Sequence, residues 1–191
     1  VDMRNGFSLV EQLIGLLLVS LTLISATRFV SQSIGVFWRE QQYLDAQIEI
    51  KQIAAMISFQ LRSAHINQSN HSKRMAYMQI GSNPSDLSSS CILFGYDHNF
   101  DNTITTTAPK EHFGYRIHNN AIEYRMGDRR CQEGFWQDIT SPDLVHVSQF
   151  VVTPINQFRG VKIFIEARPN AIPNEFFSET IVVWLRNFAH D

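Results

Sequence analysis

At 191 residues the chain has room for one membrane or leader segment and one globular domain of ordinary size, and not for two substantial domains. A net charge of −2 gives no global reason to expect a nucleic-acid partner, because phosphate binding normally shows as a basic excess. Mean hydropathy is slightly negative although residues 7–30 are strongly apolar, so the remainder is a polar, soluble domain.

In chain order, Val1-Asp2 read as a remnant ahead of a natural start at Met3 and are left out of the fold argument. A short leader ending in Gly6 follows. From Phe7 to Thr27 the only strongly polar residues are Glu11 and Gln12, and Arg4 and Arg28 bracket the run. As a helix rising about 1.5 Å per residue, that run spans about 30 Å, the thickness of a bilayer's hydrocarbon core. A secretory signal peptide fits poorly, since its apolar part is shorter and carries no charge inside it. A carboxylate near the start of a membrane helix is costly unless it finds a partner, so Glu11 is a functional residue by default. The helix dipole offsets part of that cost without requiring the acid.

The string Gly6-Phe7-Ser8-Leu9-Val10-Glu11 resembles the class III leader of type IV prepilins and pseudopilins. The resemblance implies cleavage by a prepilin peptidase between Gly6 and Phe7 and methylation of the new Phe7 amine. It also implies an assembly role for Glu11, whose carboxylate would meet the Phe7 ammonium of a neighbouring subunit, a strong pairing at low dielectric. The fold it implies is α+β, a long N-terminal helix, transmembrane in its first half, packed on a C-terminal antiparallel β-sheet domain.

The residues support the same outline. No proline precedes Pro84. Phe37, Leu44, Ile48, Ile57 and Leu61, broadened by Ile50, Ile53 and Ala54, predict a buried helical stripe, and one helix from about Phe7 to Ala64 is the economical reading. Phe37, Trp38 and Tyr43 are expected in packing rather than at a ligand. The expected organisation is a leader at 1–6, a transmembrane and assembly helix at 7–28, its amphipathic continuation at 29–64, and a β-rich periplasmic domain at 65–191. After the polar connector "HINQSNHSKR", the segments "MAYMQIG", "SSCILFGY", "HFGYRIHN", "AIEYRM", "VHVSQFVVTPI", "VKIFIEARP" and "ETIVVWLRN" predict strands. Asn119-Asn120 suits a hairpin turn because Asn tolerates positive φ.

Several stretches resemble the PilW-type minor pilins, the prepilin peptidase-dependent protein B group: "CILFGYDHNFDN", "FGYRIHNNAIEYRMG" and "CQEGFWQDITSPDLVHVSQF". Where many major pilins carry a proline, this chain reads "ISATRFV", which suits a minor component better. That resemblance implies an inner-membrane, single-pass protein that joins other minor pilins at the start or tip of a type IV pilus. Its partners would be those subunits, the major pilin, the prepilin peptidase, the inner-membrane assembly platform, and lipid before assembly. A J-type pseudopilin of type II secretion is the alternative in the same class, and a tip adhesin or DNA-uptake receptor the alternative outside it.

The remaining chemistry is sparse. Cys91 and Cys131 cannot make a structural zinc site alone, and outside the cytosol they are expected to pair as one disulfide. Asp97, Asn99 and Asp101 have the alternate spacing that opens a calcium loop, but neither the glycine nor the glutamate of an EF-hand follows. Glu111 could complete a shell if the loop folds back. The seven histidines show no ligand spacing, and neither a nucleophile motif nor a phosphate loop is present, so the expectation is a non-enzyme with calcium as its one candidate ligand. Lys73-Arg74 and the group Arg125, Arg129 and Arg130 are read as charged turns, and no nucleic acid is expected.

Overall fold

The computed structural model describes residues 8–64, 78–81, 89–97, 99, 104, 110–127, 130–156 and 159–185. Helix α1 (Leu9–Ser63) is followed by β1 (Met78–Gly81), β2 (Cys91–Gly95), β3 (His112–His118), β4 (Ala121–Met126), β5 (Gln137–Asp138), β6 (Val145–Ile155), β7 (Gly160–Pro169) and β8 (Phe177–Trp184). Gly6, Phe7, the connector at 65–74, Asp101 and Arg129 lie outside the described residues.

α1 contains no proline to break its ladder, and Glu11 in its first turn and Arg62 in its last oppose the helix dipole. The chain divides into two units, 1–41 and 42–191. In the first, all the described residues are exposed, large apolar ones such as Leu13, Leu17, Ile24 and Phe29 included. Among the described residues α1 is the one helix long and apolar enough to cross a membrane.

The second unit is an antiparallel α+β domain. Its helical residues bury Ala46, Ile50, Ile53, Ala54, Ile57 and Leu61 in a cluster shared with both sheets. One sheet has the order β1-β2-β3-β4-β5 and the other the order β6-β7-β8, with every pairing antiparallel. Two backbone bonds from β6 tie the sheets together: Val152 N donates to Ser89 O at 2.9 Å and Val147 N to Asn120 O at 2.8 Å. The β3–β4 hairpin turns on Asn119 and Asn120, with φ of 49° and 63° and with His118 opposite Ala121. Positive φ at both central residues matches the twist of the flanking strands. Strand alternation gives the five-stranded sheet two unlike faces. Ile92, Phe94, Phe113, Tyr115 and Ile122 join the helix-side cluster, whereas Cys91 and Leu93 belong to a second cluster with Cys131 and Trp136.

One expectation is corrected. Leu44 and Ile48 do not share the buried stripe of Ile57 and Leu61, because at about 100° per residue they point to the opposite side; both are exposed, and so is Phe37. Phe37 and Trp38 pack edge-on against each other at 6.1 Å while remaining exposed, and of the expected trio only Tyr43 is half-buried, against Phe177 at 5.7 Å. The expected antiparallel strands are divided between two sheets. β6 takes β7 as its partner, and the two-residue β5, too short to carry a sequence signal, ends the first sheet.

Tyr115 ties helix to sheet, its hydroxyl donating to Gln60 Oε1 at 2.7 Å. Burial, reinforced by Tyr124 and Tyr96, pushes its pKa far above the ordinary tyrosine value, and burial first of all raises those of Tyr124 and Tyr96 as well. A raised folded-state pKa means that the neutral phenol is favoured on folding, so this contribution is present below about pH 10 and lost as pH rises beyond it. Alkaline titration is therefore expected to show stability falling above about pH 10. The phenolate absorbance of these three tyrosines should appear together with loss of circular dichroism rather than before it.

Candidate functional site

The apolar half of α1 hides its own hydroxyls. Ser20, Thr22, Ser25, Thr27 and Ser33 each donate to a carbonyl three or four residues back, at 2.8 to 3.0 Å. Such back-bonding satisfies polar groups where water is absent. Glu11 differs from these hydroxyls. It is exposed in the first turn, and among the described residues no donor or cation meets its carboxylate.

Further along, α1 is apolar on two opposite faces. Leu44, Ile48, Ala55 and Phe59 fall within about 60° of one another on the helical wheel and about opposite the buried face. Phe59 is 74% exposed and Leu44 and Ile48 about half exposed. A helix apolar on both sides is normally covered on both.

The outer face of the five-stranded sheet carries a second construction. Cys91 and Cys131 form a disulfide with Cα atoms 6.1 Å apart, which pins the segment after β4 to β2. Arg116 and Glu123, opposite each other on β3 and β4, form a buried ion pair through Arg116 Nε and Glu123 Oε2. The Arg116 guanidinium also donates from Nη1 to Cys131 O at 2.5 Å and Glu133 O at 3.3 Å, and Arg125 Nη1 donates to Gly134 O at 3.1 Å. Both guanidiniums lie by the Trp136 ring, at 4.6 and 5.7 Å from its centroid, a cation–π arrangement. Gly114 makes room for it, since a Cβ there would stand 2.9 Å from Trp136 Cη2 and 2.6 Å from Leu93 Cδ2. Arg125 is accordingly buried rather than part of a charged surface turn, while Arg130 is exposed.

Of the candidate calcium ligands, Asp97 and Asn99 are described. Glu111 is fully buried, and its carboxylate accepts a hydrogen bond from the Asn99 backbone N at 3.3 Å, so the loop does fold back onto it. There the carboxylate acts as an anchor for the loop backbone. Among the described residues no group of three or more acidic, histidine or cysteine side chains is placed to hold a metal. His112, His118 and His146 sit on separate strand positions. The Arg116–Glu123 pair and its loop were not foreseen; the only sequence mark was the spacing of Trp136 after Cys131.

A family model described as prepilin peptidase-dependent protein B matches residues 39–184. No curated protein and no solved structure matches the chain. The matched residues begin well beyond the leader-like string at Gly6–Glu11, so the two similarities rest on separate parts of the chain.

Removing one member of a buried ion pair leaves the other uncompensated. Arg116→Met is expected to lower unfolding free energy by about 3–5 kcal/mol in a denaturant titration. The double variant Arg116→Met with Glu123→Leu should lose clearly less than Arg116→Met alone. Equal losses would mean that the pair does not act as a unit.

Proposed function

The chain belongs to the prepilin peptidase-dependent protein B family, and we propose that within it the protein is a minor pilin that enters a type IV pilus through packing of α1. The observation that carries this reading is the apolar ridge of Leu44, Ile48, Ala55 and Phe59, turned away from the protein's own core. A helix built only to cover its own sheets would present polar residues there. The ridge suits the helix of another subunit as occupant.

In this reading the precursor is anchored in the inner membrane by the apolar half of α1, with residues 65–191 in the periplasm. The peptidase cuts between Gly6 and Phe7, and the new Phe7 amine is methylated. Assembly then exchanges lipid for protein around α1. The self-satisfied hydroxyls of Ser20 to Ser33 suit both surroundings, since they need no partner in either. Glu11 does need one, and the Phe7 ammonium of a neighbouring subunit supplies it, which favours one axial register between helices. The partners are other minor pilins and the major pilin, reached through the inner-membrane assembly platform.

Two outcomes follow. Intact-mass measurement after co-expression with the peptidase should show a chain beginning at Phe7 and one methyl group heavier; a cut after Ala26 would instead make the segment a signal peptide. Ile48→Glu and Phe59→Glu should leave unfolding free energy within about 0.5 kcal/mol, as expected for exposed positions. Both should nevertheless reduce the number of pili per cell and the amount of this subunit in sheared fibres. Normal piliation with lost exoprotein secretion in a deletion strain would move the protein to the secretion machinery.

A further inference from the structure

The edge of a sheet presents a row of N–H and C=O groups, and natural proteins guard such rows with short strands, bulges, proline or covering segments. Among the described residues, β1 has four residues and β5 two. β6 carries Pro154, breaks register between Val147 and Gln149, and gives the N–H groups of Val147 and Val152 to Asn120 and Ser89. β8 shows none of these guards. It runs for eight residues in unbroken register with β7 and contains neither proline nor lysine.

One bond says which groups of β8 are open. Leu185 N donates to Arg159 O at 3.0 Å, in the register that sets Gly160 opposite Trp184. Opposite residues in an antiparallel pair alternate between hydrogen-bonded and non-hydrogen-bonded. Val183, Ile181 and Glu179 therefore bond to β7, and the N–H and C=O groups of Ser178, Thr180, Val182 and Trp184 point away from it. Among the described residues no hydrogen bond reaches that row. The side chains of this row are exposed and uncharged, Val182 at 45% and Trp184 at 55%.

Alternating donors and acceptors in such a row are matched by an extended polypeptide backbone. Charge narrows the choice of segment. Glu179 lies half-buried opposite Ile165, on the other face of β8 from Val182, and meets no cation among the described residues. The cations of β7, Lys162 and Arg168, alternate onto the face of Val182. β8 has no cation of its own, so pairing with a second copy would leave both Glu179 carboxylates uncompensated.

We propose that β8 takes an extended segment of a neighbouring pilin-like subunit as the fourth strand of its sheet, with apolar or hydroxyl side chains beside Thr180 and Val182 and a Lys or Arg beside Glu179. For the identity of the partner, this inference rests on the assembly reading above.

The test uses the full chain in detergent, expressed alone and with the pilin-like proteins of its own strain. Residue-resolved amide hydrogen exchange should show Ile181 and Val183 protected in both samples, and Thr180 and Val182 protected only in the co-purified complex. Protection of Thr180 and Val182 in the chain alone would mean that this chain or a second copy covers the edge, and their free exchange in the complex would mean that the partner binds elsewhere. Either result overturns the proposal, whether or not any variant folds. Thr180→Pro and Val182→Pro each remove an outward N–H and keep the bonds to β7, so the chain should still fold while the co-purified pilin-like subunit falls about tenfold or more. Undiminished recovery by the folded Pro variants, with recovery lost in Phe59→Glu, overturns the edge and leaves helix packing standing. Recovery of no pilin-like subunit by the unaltered chain overturns both.

Discussion

The folded unit depends on one contact, the burial of the helical face Ala46–Leu61 against both sheets at once. Neither sheet covers the other's apolar side alone. β6 touches the first sheet through backbone bonds to Ser89 and Asn120, and the helix fills the space that remains. Fully burying each large aliphatic side chain there contributes about 1.5–3 kcal/mol, and Ile50, Ile57 and Leu61 are essentially inaccessible. Side-chain bonds hold the register of helix and sheet: Tyr115 to Gln60, and the Ser141 amide to Glu49. The tyrosine cluster belongs to this contact, which is why its ionisation is expected to accompany unfolding.

Covering one face of the five-stranded sheet creates the problem of the other. A second helix would be the usual answer; among the described residues it is the short segment after β4 that lies there. Too few apolar residues are available there for a core, so the covering relies on a covalent tie and on buried cations. The disulfide holds the segment down, and Arg116 and Arg125 satisfy its carbonyls, groups that a helix or strand would have satisfied internally. Trp136 then supplies apolar bulk over Gly114. Charge takes the place of a second layer, and Glu123 keeps the buried Arg116 neutralised.

What was legible in the sequence follows from these two solutions. Strands such as Ala121–Met126 and Val145–Ile155 could be read to the residue, because alternation and turn chemistry are local signals. The Asn119–Asn120 hairpin was legible for the same reason. The helical stripe was misread because apolar residues at steps of four and seven occur on both faces of α1, and periodicity alone does not say which face meets the domain. Leu44 and Ile48 were therefore placed in the core with Ile57. The Arg116–Glu123 pair was hidden further. Alternating charges on a strand normally mean a solvated face, and only the path of residues 130–136, a long-range matter, turns that face inward.

The helix and the pinned loop lie on opposite sides of the same sheet. The helix packs on the face of Ile92 and Tyr115, and the pinned loop lies on the face of Cys91 and Arg116. The packing proposed above sets the ridge of one subunit against a different face of the next, and such heterologous contacts extend into open helical assemblies when their rotation does not close a ring. A dimer formed through the helix ridge alone would bury one patch of each chain and stop.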